Sequence, residues 1–256
     1  MSTTSMIFLH HSVGANIIDR GDLRGLLRKK APDLAFSDYG YNAGRKAQLL
    51  GRIPGYSVSS LHGLHDAAGR FQQVSYAVPA DDTDPDGLAT IFRQSAPSTP
   101  PNTLTYLLQY DVIAFKSCFT AATIPNDETL ERFKQDYRAI RATMDQHPDK
   151  LFVALTPPPR RASETNPTEA ARARAYARWI MSDEFHGGKA NIATFDLFDP
   201  LAVPEGQPNA NTLRPEYSVA DPNDSHPNTA ADAVIAPVLA GFIATTVAAW
   251  RSAVPA

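Results

Sequence analysis

The first ordered pattern in the chain is "MIFLHHS", residues 6–12, an apolar run that ends abruptly in polar residues with a glycine just beyond, at position 14. A run this short, closed by a turn signal, predicts a buried strand. From residue 14 to residue 30 the period becomes helical, with Ile17, Ile18, Leu23, Leu26 and Leu27 recurring at three- and four-residue steps. Residues 34–39 predict a second strand, closed by "YGYNAG". Periodicity then vanishes over 51–103, where "DDTDPDG" and "SAPSTPPN" predict a long irregular insertion. Loops of that length are uncommon in compact domains and usually functional or mobile. Order returns with a third strand in "YDVIAFKSCF", residues 110–119, and a helix over 127–147 that Pro148 stops. "KLFVALTPPP" predicts a fourth strand cut off by prolines. Residues 168–185 predict a helix capped by Thr168, with Glu169 in its first turn. "NIATFDLFDPL" predicts a fifth strand and 229–250 a final helix rich in Ala, Val and Ile.

Strands alternating with helices imply right-handed crossovers and a parallel sheet covered on both faces. The expected fold is therefore α/β, a three-layer sandwich around a mostly parallel five-stranded sheet, with residues 1–256 as a single domain. In such sheets the ligand site lies at the C-terminal edge of the strands. His10, His11 and Ser12 should converge there with Tyr39 and Gly40, with Lys116, Ser117 and Cys118, and with Thr156.

Composition narrows the function classes. The chain has 256 residues, 43% hydrophobic and 20% charged, with a net charge of −3. Slight acidity with dispersed Lys and Arg argues against a nucleic-acid partner. Cys118 is the single cysteine, so no intramolecular disulfide can form. No uninterrupted apolar run reaches the ~20 residues of a membrane span. The N-terminus lacks the basic region of a signal peptide. The expectation is a cytoplasmic protein, or a mature secreted form whose signal has been removed.

The chemistry emerges when the two ends are read together. "DPNDSHPN", residues 221–228, precedes the last helix. Pro227 restricts His226 to an extended conformation, and Asn228 or Thr229 can cap the helix. A histidine fixed there faces the same sheet edge as Ser12. Serine is a weak nucleophile that needs a base within hydrogen-bond reach, and histidine has the right pKa near neutrality. A serine block after the first strand, a His-Pro block before the last helix and a five-stranded α/β order together resemble the SGNH (GDSL-type) hydrolase superfamily. The resemblance covers nearly the whole chain in architecture, on short motifs.

The resemblance implies a serine hydrolase of esters, of the esterase, lipase, thioesterase or carbohydrate deacetylase type, acting without metal or organic cofactor on a small-molecule or carbohydrate ester. Ser12 becomes the nucleophile and His226 the general base, and the turn at Gly14 exposes Ser12. The chain also departs from the pattern. "HHSVG" replaces the Gly-Asp-Ser block, which puts His11 where the family has Asp. The family's Asp-x-x-His has Asn223 at its acid position, so Asp224 is the preferred orienting acid and Asp221 the other candidate. For the oxyanion hole Gly40 is the first candidate glycine and Gly44 the second. The family's third-block asparagine is missing from "FKSCF", leaving Lys116, Ser117, Cys118 or Asn42 to supply that donor.

Two other function classes stay open. A metal-dependent hydrolase could use His10, His11, Asp224 and His226, although neighbouring strand residues point to opposite faces. A non-catalytic binding module could use the same scaffold. His62 and His65 form an H-x-x-H pair with no third ligand block. Arg160 and Arg161 read as a solvated loop or a contact for a substrate carboxylate. Asp38, Asp111, Asp196 and Asp199, near predicted strand ends, leave glycoside chemistry open.

Overall fold

In the computed structural model, residues 3–40, 63–72 and 85–253 are described. Among them, one mixed sheet contains β1 (Thr4–His10), β2 (Leu34–Gly40), β3 (Gly63–His65), β4 (Phe71–Gln72), β5 (Val112–Lys116), β6 (Leu151–Leu155) and β7 (Ile192–Phe195). Their order is β4-β3-β2-β1-β5-β6-β7. The pairs β2–β1, β1–β5, β5–β6 and β6–β7 are parallel. These five strands are the sheet expected from the sequence, in the doubly wound order that reverses direction between β1 and β5. The sheet has seven strands because β3 and β4 add an antiparallel hairpin beside β2.

The strands are apolar on both faces, as a covered parallel sheet requires. Met6 and Phe8 of β1 point into one core with Val13, Ile17, Leu27, Ile235 and Leu239 from the first, second and last helices. Ile7 and Leu9, one residue out of phase, point into the other core with Phe92, Phe133, Tyr137 and Tyr176. The three-layer expectation holds.

The local differences have local causes. The predicted helix over 14–30 is two helices, Ser12–Asp19 and Leu23–Lys30. Asp22, left-handed at φ 53°, separates them, and its carboxylate accepts from the Gly25 amide. Gly14 is not a turn but lies in the first turn of the first helix; a Cβ there would come 2.3 Å from His10 Cβ. The helix predicted from 168 is capped instead by Asn166, whose side chain accepts from the amides of Thr168 and Glu169, and it runs Pro167–Ile180. A separate short turn follows, Asp183–His186. Asn166 was obscured by the proline after it, which is well suited to the first helical position. Within 51–103 the described residues are irregular only in part, over 93–102. They include the β3–β4 hairpin and a helix, Pro85–Phe92, whose Leu88, Ile91 and Phe92 are core. Residues 51–62 and 73–84 of this stretch lie outside the described set.

The last helix, Thr229–Ala253, is long and apolar enough to cross a membrane by length and composition. A core helix packed against a sheet passes the same test of length and composition. In this fold Ile235, Leu239, Ile243 and Val247 face the core, while Val234 and Val238 face solvent.

Asp232 lies buried on that helix with Arg20 Nε 3.0 Å away, but not aligned to hydrogen-bond it. Burial outweighs the attraction to Arg20 and raises the carboxyl pKa to about 6. The folded protein therefore binds a proton that the unfolded chain releases at lower pH. The stability from that proton is complete below about pH 4 and lost as pH rises through 6. Chemical denaturation across pH should show wild type and Asp232→Asn converging near pH 4. Above pH 6 the variant should be more stable, by on the order of 1–2 kcal/mol after discounting for the solvent-exposed side of Arg20. Parallel curves would contradict the assignment.

Candidate active site

β1 ends at His10, and the chain turns into the first helix within a single residue. His11, extended at φ −109° and ψ −166°, is the N-cap; its carbonyl accepts from the Ala15 amide, and Ser12 is the first helical residue. The Ser12 hydroxyl is thereby presented at the C-terminal edge of β1, at the point where strand order reverses. Its amide lies at the helix N-terminus, where backbone N–H groups lack intrahelical acceptors and the potential is positive.

His226 reaches this hydroxyl from the other end of the chain. Its Nε2 is 2.7 Å from Ser12 Oγ, and its Nδ1 is 2.5 Å from Asp224 Oδ1. The same carboxylate oxygen accepts from the His226 amide at 2.8 Å, so Asp224 closes a two-residue turn around the ring it faces. Burial pushes the Asp224 pKa up, but the hydrogen bonds from His226 and the nearby charges of His226 and Arg161 leave it below the ordinary value. An anionic carboxylate at Nδ1 places the proton there and leaves Nε2 bare to accept the Ser12 proton. Phe119 packs edge-on against the His226 ring, centroids 4.8 Å apart.

The loop is held from outside. The Arg161 guanidinium donates to the carbonyls of Val219, Asp221 and Asp224, and Ser225 donates to Glu164. Arg161 is therefore a structural clasp rather than a free loop charge, and Arg160 is engaged with Thr123 and Glu164. On the opposite side, Arg20 at the end of the first helix donates to the Pro227 carbonyl at 3.3 Å. Asn228 caps the last helix, accepting from the amides of Ala230 and Ala231.

The expected residues divide clearly. Ser12, His226, Asp224, His11 and Cys118 meet: His11 Nδ1 is 3.0 Å and Cys118 Sγ 3.7 Å from Ser12 Oγ. Burial first, then the charges of Lys116 and His10, lower the His11 pKa to about 4, so its imidazole is neutral at ordinary pH. Lys116 is fully buried at the end of β5, and burial lowers its pKa. Ser117 turns away to the Tyr137 hydroxyl, 3.3 Å distant. Gly40 ends β2 opposite His10. Asn42, Gly44 and His62 lie outside the described residues. Asp221 turns its carboxylate to the Asn223 amide, not to His226. Thr156 bonds Asp196 and the amides after β7.

His10 does not join the site. Its Nε2 is 3.0 Å from Asp38 and its Nδ1 faces the His11 carbonyl. Asp38 also takes His65 and Arg24. Burial would raise the Asp38 pKa, but the hydrogen bonds and charges of His10 and His65 hold it well below the carboxylate range. The four-ligand set of His10, His11, Asp224 and His226 is thus split between two clusters. Among the described residues, no group of three or more His, Cys, Asp or Glu side chains is placed to hold a metal ion. Asp111 binds Ser5 and Asp199 pairs with Arg174, so neither adds a carboxylate to the site. Phe119 and Arg20 went unassigned in the sequence, and Arg161 was read as a solvated loop or substrate contact, because their roles depend on contacts distant along the chain, which no local pattern encodes.

No protein-family model and no curated protein matches the chain. Among solved structures it is similar to a family two carbohydrate esterase from Cellvibrio japonicus, with 17% identity and a TM-score of 0.47. The match covers 98% of this chain and 63% of that one, so the chain spans under two thirds of that esterase's length.

Histidine ¹⁵N correlation spectra test the tautomers. His226 should carry its proton on Nδ1, with a downfield resonance that Asp224→Ala removes. A proton on Nε2 would contradict the geometry.

Proposed function

We propose that the protein is a serine hydrolase that cleaves an ester of a small molecule or a carbohydrate, on an SGNH-type scaffold. One observation carries the reading: the continuous hydrogen-bonded line from Asp224 through the His226 imidazole to Ser12 Oγ, with spacings of 2.5 and 2.7 Å. Nucleophile, base and orienting acid within this reach are the arrangement that activates a hydroxyl.

In this mechanism Ser12 Oγ attacks the acyl carbon and passes its proton to His226 Nε2. The imidazolium is stabilised by Asp224 and protonates the departing alcohol. Water, deprotonated by His226, then attacks the acyl-enzyme, and the acid is released as Ser12 recovers its proton. The Ser12 amide, at the helix N-terminus, is one donor to the oxyanion, and the Gly40 amide is the second. Fixed donors aimed at developing charge are worth far more in a shielded site than in water.

Hydrolysis of p-nitrophenyl acetate and butyrate, with and without a chelator, tests this. Ser12→Ala and His226→Ala should each lose on the order of 10³-fold or more in kcat, and Asp224→Asn about 10²–10⁴-fold. Chelator should change nothing. Retained activity in Ser12→Ala, or loss on chelation, would overturn the reading; the latter would favour metal-dependent hydrolysis.

A further inference from the structure

We propose that His11 is a further catalytic residue, an N–H donor to Ser12 Oγ that lowers the barrier to breaking the acyl–Oγ bond. The inference rests on the serine-hydrolase reading above and adds a role that reading does not need.

The assignment follows from counting protons on one oxygen. Ser12 Oγ has one hydrogen and two lone pairs. Its hydrogen is committed to His226 Nε2, because Asp224 holds the His226 proton on Nδ1. His11 Nδ1, 3.0 Å from the same oxygen, can then make a favourable contact only as a donor. Two bare lone pairs at that distance would repel. Neutral His11 therefore carries its proton on Nδ1. The burial of His11 and the charges of Lys116 and His10, which lower its pKa to about 4, keep the ring from becoming a second cation beside the imidazolium formed in catalysis.

The His11 backbone is held in place from two sides. The His11 carbonyl accepts from both the Ala15 amide and the His10 ring, and His10 is tied through Asp38 to β2. Extended backbone at the helix N-cap fixes where the side chain leaves the chain.

A donor on Oγ acts oppositely in the two half-reactions. During acylation Oγ gives an electron pair to the acyl carbon while its proton goes to His226, and a donor on Oγ opposes the loss of electron density. During deacylation the water oxygen bonds to the carbonyl carbon and the C–Oγ bond breaks. The electron pair returns to Oγ, and His226 gives Oγ a proton. His11 keeps its own proton throughout and stabilises the charge developing on Oγ. Removing it should leave acylation unchanged or faster and make deacylation slower.

Stopped-flow hydrolysis of p-nitrophenyl acetate reads the two steps separately. In His11→Ala the ratio of acylation to deacylation rate should rise about 10- to 100-fold over wild type, the effect of losing a hydrogen bond to a charged group. kcat and KM should fall together, and acyl-enzyme should be visible by mass in the steady state. His11→Asn, whose amide nitrogen can occupy the Nδ1 position, should restore the ratio; His11→Gln, which places its nitrogen near Nε2, should not. The Asn and Gln pair decides the matter if the Ala variant fails to fold. An unchanged ratio, or equal effects of Asn and Gln, would overturn the proposal. Hydrolysis that persists in Ser12→Ala would instead overturn the serine-hydrolase reading beneath it.

Discussion

The site depends on the first helix lying close against the last one. Ser12 and His226 are 214 residues apart and sit in different elements, yet Oγ and Nε2 must meet at hydrogen-bond distance. Two neighbouring residues make that contact possible. Gly21 lets the backbones approach, since a Cβ there would come 2.6 Å from the Ala236 side chain and 2.9 Å from the Asp232 carbonyl. Arg20, one residue earlier, reaches across to the Pro227 carbonyl and to Asp232. The helix carrying Ser12 is thus tied directly to the loop carrying His226. Asp232 remains buried there without full compensation, a strained charge of the kind found where geometry matters more than stability.

Around this junction three histidines near one strand end have distinct environments. His10 belongs to the Asp38 cluster, which binds β1 to β2, to His65 on β3 and to Arg24 on the second helix. Removing one member of such a buried ionic cluster leaves the others uncompensated, typically at a cost of about 3–5 kcal/mol. His226 belongs to Asp224. His11 is kept neutral by burial first and then by the charges of Lys116 and His10. The separation of these environments gives adjacent residues of the same type different chemistry. The carboxylate that organises this strand end, Asp38, comes from β2 and acts through His10.

Much of this was legible in the chain. The parallel core followed from five apolar runs alternating with helical periods, and the convergence of Ser12 and His226 from the rule that strand C-termini share one edge. Asp224 and Asp221 were both candidates, two and five residues before His226; only the structure shows the two-residue turn that brings the Asp224 carboxylate back to the ring. Gly14 was visible as a signal but misread: a glycine after a strand suggests a turn, whereas here it makes room for His10 beneath a helix. The Arg161 clasp and the Arg20 tie were not legible, because a surface arginine that binds distant carbonyls has the same local sequence as one in solvent. The hairpin Gly63–Gln72 was missed because two very short strands beside glycines carry no periodicity.

In the proposed mechanism Ser12 is a nucleophile activated by His226. Treatment with a fluorophosphonate, followed by intact-mass and peptide mass spectrometry, tests it without knowledge of the substrate. One adduct per chain is expected, on Ser12, formed far more slowly in His226→Ala. A folded protein that stays unlabelled, or carries its adduct on another residue, would contradict it.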